Sequence, residues 1–192
     1  MNSFAPQAIV IGTSAGGVSA LSKILPALPE GFSIPIMVVI HVPPDKPSIM
    51  SQLFREKCHL QVKEMEDKED ILEGTVYFAA PDYHMLIEPS KRLSLSADER
   101  VHHSRPSIDV SFESAADCYG ESLIGVILTG ANEDGAAGLC AIEKAGGVAI
   151  AQTPSEAEHQ EMPRAAINAC KDARVMTLEN IADYLIEVAV RK

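Results

Sequence analysis

Three short stretches of this chain hold the residue types needed for acyl transfer: Gly12-Thr13-Ser14-Ala15-Gly16-Gly17, Ile40-His41-Val42-Pro43-Pro44, and Thr129-Gly130-Ala131-Asn132-Glu133-Asp134-Gly135. A serine hydroxyl is a weak nucleophile until a base takes its proton. Neutral imidazole is such a base, and a carboxylate bonded to the ring fixes its tautomer. On this reading Ser14 attacks a carbonyl, His41 moves the proton and Asp134 orients the ring. A positioned general base contributes roughly 100- to 10,000-fold. Residues 12–16 fit the G-x-S-x-G pattern of a nucleophile elbow, whose small neighbours let the chain bend and leave the hydroxyl exposed. The helix start behind Ser14 favours developing negative charge. The Ala15 N–H is then a candidate oxyanion donor and the Ala131 N–H a second, with Gly130 allowing close backbone approach.

Each stretch taken alone has a plainer reading. A glycine-rich turn after a strand can cradle phosphate. Here, however, the spacing gives neither G-x-G-x-x-G with its first glycine in the turn nor G-x-x-x-x-G-K-[ST], and the second strand ends in histidine rather than in the acidic residue that holds a ribose. His41 follows an apolar run and could be a satisfied core histidine. Asp134 could cap the helix that follows it, and Glu133 is an adjacent rival. Position joins the three. Each stretch directly follows a buried-strand pattern, and ligands of open α/β sheets bind beyond the carboxyl ends of the strands.

The elements that must position these residues alternate between apolar runs and helical-period segments, the pattern of crossover helices around a mostly parallel sheet. Strands are predicted at 8–11, 36–40, 123–128, 148–152 and 173–177. Helices are predicted at 18–28, 48–57, 107–116 with Ser107 as cap, 136–145, 164–169 and 180–190. Pro43 and Pro44 break regularity after His41. The middle of the chain reads differently: 61–64, 75–79 and 84–96 suggest short strands in antiparallel hairpins, with a charged turn at 67–74.

A chain of 192 residues, 46% hydrophobic and 22% charged, suits a single domain spanning 1–192. Its formal net charge of -11 and the lack of a basic stripe argue against nucleic acid. The four cysteines, Cys58, Cys118, Cys140 and Cys170, show no CxxC pairing and read as reduced thiols. With no signal-like N-terminus and no apolar run of membrane-spanning length, the expected location is cytoplasmic, without membrane insertion. His102 and His103 hint at a metal only superficially, since no third ligand at suitable spacing is evident.

In this order GTSAGG, IHVPP and VILTGANEDGAAG, together with KEMEDKEDILEGTVYFAAPDYHMLIE, RPSIDVSFESAA and EMPRAAI, closely resemble the catalytic domain of the chemotaxis protein-glutamate methylesterase family, CheB. The resemblance runs from Ile9 to about the last helix. It implies a three-layer α/β/α, doubly wound fold with a mostly parallel sheet and an antiparallel hairpin. It also implies Ser14 as nucleophile, His41 as base and Asp134 as orienting acid. His84, Met85 and Met162 match family steps beside the cleft, and Arg105 either meets substrate carboxylates or anchors its helix. The implied reaction is hydrolysis of glutamate γ-methyl esters on the cytoplasmic helices of methyl-accepting chemoreceptors, releasing methanol, with glutamine deamidation in some members and no cofactor or metal. Many relatives carry a hydroxyl residue at the position of Ala15 and methionine at that of Ala131. The family's usual receiver domain has no room before Ala8, which implies a trimmed chain or an esterase regulated by a separate protein. Two other readings keep the motifs: an esterase or amidase acting on another protein or a small ester, and a non-catalytic module that docks to receptor complexes.

Overall fold

The computed structural model describes residues 5–41 and 49–190. Strand β1 (Ala8–Thr13) is buried along its whole length, as are β2 (Ile36–Ile40) and β7 (Leu123–Ile127). Strands buried on both faces need apolar residues at every position, which is why these segments lack alternation. With β3 (Gln61–Glu64), β4 (Thr75–Phe78), β8 (Val148–Gln152) and β9 (Arg174–Met176) they form a seven-stranded sheet in the order β3-β4-β2-β1-β7-β8-β9. Every pairing in it is parallel.

Alternate residues of β1 feed two separate cores. Ala8 and Val10 face the layer of α3 (Ile108–Tyr119), α4 (Ala136–Lys144) and α5 (Glu161–Ala169), packing with Phe112, Leu139 and Met162. Ile9 and Ile11 face α1 (Gly17–Ile24), α2 (Met50–Arg55) and α6 (Leu178–Val190), packing with Leu21, Phe54 and Leu185. Each fully buried Val, Leu, Ile, Phe or Met among them stabilises the fold by roughly 1.5–3 kcal/mol. The layers are therefore helix, sheet, helix, as the resemblance implies, around the mostly parallel sheet that the residue pattern predicts.

The middle of the chain departs from the predicted hairpins. β3 and β4 run parallel within the main sheet, with Val62 beside Val76 and Glu64 beside Phe78. All four residues of β4 are buried because it lies between β3 and β2 and is covered on both faces, so the charged segment between β3 and β4 is a return crossing rather than a hairpin turn. The antiparallel hairpin is confined to β5 (His84–Ile87) and β6 (Leu93–Ser96), which form their own two-stranded sheet. The first helix stops at Ile24 and tightens into a 3-10 turn at Leu25–Ala27, where Pro26 offers no amide to continue the ladder. Pro43, Pro44 and Ser48 lie outside the described residues. Among the described residues no helix is long and apolar enough to cross a membrane. The four cysteines are free, with burial pushing the Cys170 thiol up to about 12.

Candidate active site

The three chemistry-bearing loops leave adjacent strands at the centre of the sheet. Thr13 is in register with Ile40 and Gly12 with Ile127, so Ser14, His41 and the 129–135 loop emerge side by side at the carboxyl edge. The chain winds from β1 toward β2 on one side and returns to β7 on the other, which makes this edge the topological switch point. Backbone bonds lock the loops together: the His41 amide donates to Thr13 O at 3.2 Å and the Ser14 amide to Thr129 O at 3.0 Å. The Thr129 hydroxyl adds a bond to Ala15 O at 2.9 Å.

His41 Nε2 lies 2.8 Å from Asp134 Oδ2, with the imidazole 13% exposed and the carboxylate fully buried. Glu133 is 74% exposed and points to His102, so it is not the partner of His41. Ser14 is partly exposed beside His41, and among the described residues its hydroxyl makes no hydrogen bond to the ring. Of the expected hydrogen-bonded line, the bond between His41 and Asp134 is present. Bonds to a nucleophile are often long without substrate and tighten only in the productive complex. The Asn132 amide nitrogen sits 3.5 Å from His41 Nδ1, and Asn132 Oδ1 accepts the Asp134 amide at 3.1 Å.

The turn itself differs from a strained elbow. Gly12 is a strand residue, and the left-handed conformation falls on Gly16 at φ 80°, not on Ser14. Gly12 is small for another reason. A Cβ there would lie 2.4 Å from Ile108 Cγ2, so its absence lets the start of α3 come down onto β1. Gly135, at φ 97°, makes room for the same isoleucine.

That close approach explains where Asp134 sits. It does not cap its own helix, since Gly135 is the N-cap of α4 and no side chain bonds there. It caps α3 from outside instead. Oδ1 accepts the Ser107 hydroxyl at 2.9 Å and the Asp109 amide at 3.0 Å, while Oδ2 accepts the Ile108 amide at 2.7 Å alongside His41. A carboxylate at a helix N-terminus is favoured both by the orphan amides and by the macrodipole. Burial alone would push the Asp134 carboxyl up, but the His41 bond, the Ile108 and Asp109 amides and the attraction of His41 outweigh it, so it lies below its ordinary value.

The residues that match family steps beside the cleft are buried: His84, Met85 and Met162 are at most 1% exposed. Met85 belongs to the core, because alternation along β5 turns it toward α3. His84 Nδ1 accepts the Ser107 amide at 3.1 Å, and Nε2 bonds Glu99 O at 2.9 Å. Met162 packs behind Gly130, where a Cβ would meet its sulfur at 2.6 Å, and its amide donates to Gly130 O at 3.0 Å. The Gly130 amide is committed to His159 O at 3.2 Å. Arg105 anchors: it bonds Asp82, Ala97 O and Asp98 O.

A third ligand does come near His102, contrary to the sequence reading: atoms of His102, Asp109 and Asp134 lie within 4.8 Å of one another. Four donors already occupy the Asp134 oxygens, so a cation there would have to displace them. Sequence reasoning missed Asn132, Asp109 and the second role of Ser107. Only the cap signal of Ser107 was visible, and a cap signal does not say which outside group it will meet.

Residues 9–185 match the family model described as CheB methylesterase. A protein of Leptospira interrogans provisionally named protein-glutamate methylesterase/protein-glutamine glutaminase is 50% identical over 182 residues, covering 95% of this chain and 94% of that protein. A protein-glutamate methylesterase/protein-glutamine glutaminase of Symbiobacterium thermophilum is 37% identical, covering 92% of this chain and 49% of its own length. Among solved structures, the Thermotoga maritima CheB methylesterase catalytic domain aligns with a TM-score of 0.89 and 33% identity, covering 96% of this chain and 99% of that one.

Proposed function

We propose, from the premise that this chain belongs to the CheB methylesterase family, that it hydrolyses glutamate γ-methyl esters on the cytoplasmic helices of chemoreceptors. Ser14, His41 and Asp134 act as nucleophile, base and orienting acid. The observation that carries the reading is the 2.8 Å bond from His41 to a fully buried Asp134, next to Ser14 at the switch point of the sheet.

With Asp134 accepting Nε2–H, the lone pair of His41 is on Nδ1, the nitrogen that takes the Ser14 proton. Ser14 Oγ adds to the ester carbonyl, and the Ala15 and Ala131 amides receive the oxyanion. Collapse expels methoxide, which leaves as methanol with the proton from His41. Water, deprotonated by the same ring, then cleaves the glutamyl-serine ester and restores the hydroxyl. The same steps on a glutamine side chain release ammonia. No step calls for a cofactor, and a cytoplasmic location follows from where receptor helices present the ester.

Purified protein is expected to release methanol from methylated receptor, with release abolished in Ser14→Ala while the circular dichroism spectrum is kept. Unchanged turnover in that variant rejects the mechanism. Activity on a small ester with none on methylated receptor keeps the triad and changes the substrate.

A further inference from the structure

We infer that Ser107 and His84 are positioning residues for the reaction, His84 holding the Ser107 amide and the Ser107 hydroxyl holding the Asp134 carboxylate, in a series of hydrogen bonds that starts at a backbone carbonyl of the segment after the hairpin. This rests on the esterase reading of the site.

The chain can be followed atom by atom. Glu99 O accepts from His84 Nε2 at 2.9 Å, which places the ring proton on Nε2 and leaves Nδ1 as an acceptor. Nδ1 takes the Ser107 amide at 3.1 Å. The Ser107 hydroxyl donates to Asp134 Oδ1 at 2.9 Å while its oxygen also accepts the Val110 amide at 3.5 Å. Asp134 Oδ2 then meets His41 at 2.8 Å. Ser107 is fully buried and His84 is 1% exposed, so water cannot substitute for either.

Two features separate this from ordinary helix capping. A cap serine needs only to accept from its own helix, whereas Ser107 spends its one proton on Asp134. A histidine serving only the hairpin has no need of the Ser107 amide, yet His84 spans between β5 and the residue that opens α3. Oδ1 of Asp134 takes the Ser107 hydroxyl and the Asp109 amide, and Oδ2 takes the Ile108 amide beside His41, so losing Ser107 removes one of the two bonds on Oδ1 and loosens the set of the carboxylate against the ring.

The test is steady-state methanol release from methylated receptor, with variants made in two backgrounds. Ser107→Ala is expected to lower kcat about 10- to 100-fold with KM changed less than about twofold, the scale of one buried hydrogen bond to a charged acceptor. In an Asp134→Ala background the same substitution is expected to cost less than about twofold, because its target is gone. His84→Leu is expected to repeat this pattern and His84→Asn, whose Oδ1 can accept the Ser107 amide, to regain most of the rate. Equal losses in both backgrounds, a loss confined to KM, or an unchanged kcat overturns the proposal. If Ser107→Ala does not fold, the two His84 variants decide by the same criteria. Turnover that survives Ser14→Ala removes the esterase reading and this proposal with it, whereas turnover that needs Ser14 but ignores Ser107 and His84 removes this proposal alone.

Discussion

Asp134 is the residue on which both chemistry and local stability converge, since its two oxygens tie His41 to the first turn of α3. Asp134→Asn is expected to reduce kcat by about 10,000-fold, because an amide cannot hold the imidazole in the productive tautomer; single-turnover methanol release measures it. The same carboxylate makes stability depend on pH with a definite sign. Its folded pKa lies below the ordinary value, so the unfolded chain takes up the proton first as pH falls. The stability it contributes is full above the ordinary carboxylate value and is lost as pH drops through the folded one. Asp109 has the opposite sign. Burial raises it, the Gly138 amide pulls it back and the Asp134 charge adds to the rise, so it binds its proton earlier in the folded state. Urea midpoints across the acidic range should therefore fall less steeply in Asp134→Asn than in the parent protein.

Helix α3 acts as a unit, because its N-terminus is the cradle of the carboxylate and its approach to β1 depends on a missing Cβ. Gly12→Ala places a methyl against Ile108 Cγ2, a branched atom close to the backbone that cannot swing aside. We expect about 1–3 kcal/mol of destabilisation and a fall in kcat, since the amides of Ile108 and Asp109 move with the helix. Gly125→Ala is the matched comparison. Its nearest neighbours are the Cδ1 atoms of Ile142 and Leu139, the far ends of flexible side chains on the same layer, so it should leave kcat within about twofold. Denaturation and turnover measured on both variants separate overpacking in general from displacement of α3.

At the scale of the whole molecule, the two cores lie on opposite faces of one sheet and share its strands. The chain is accordingly proposed to unfold as a single domain. Phe112→Ala removes about 3–5 kcal/mol from one layer and Leu21→Ala about 2–5 kcal/mol from the other. Each should lower one common calorimetric transition. Two separable transitions, each sensitive to one variant, would contradict the single-domain reading. The net charge of -11 carries no comparable consequence for the site, where the acid that matters is buried and paired.

The residues themselves determined that strands such as 36–40 and 148–152 would form and that a serine, a histidine and an aspartate would stand at strand ends, because apolar runs and glycine turns act through neighbours in sequence. The motifs carried the family for the same reason. Pairing across the chain was not legible. β3 and β4 have the length and composition of hairpin strands, and only burial between neighbouring layers made them parallel. His84 and Met85 matched family steps, but the direction of a side chain on a short strand depends on what packs above it, and here that is α3. In the sequence Asp134 stands as the orienting acid with Glu133 as a rival, but only the tertiary structure gave the carboxylate its donors from a helix that begins 26 residues earlier in the chain. A helix N-terminus advertises unpaired amides without naming the group that will take them. That partner is settled by close approach, and here the approach required glycine at positions 12 and 135.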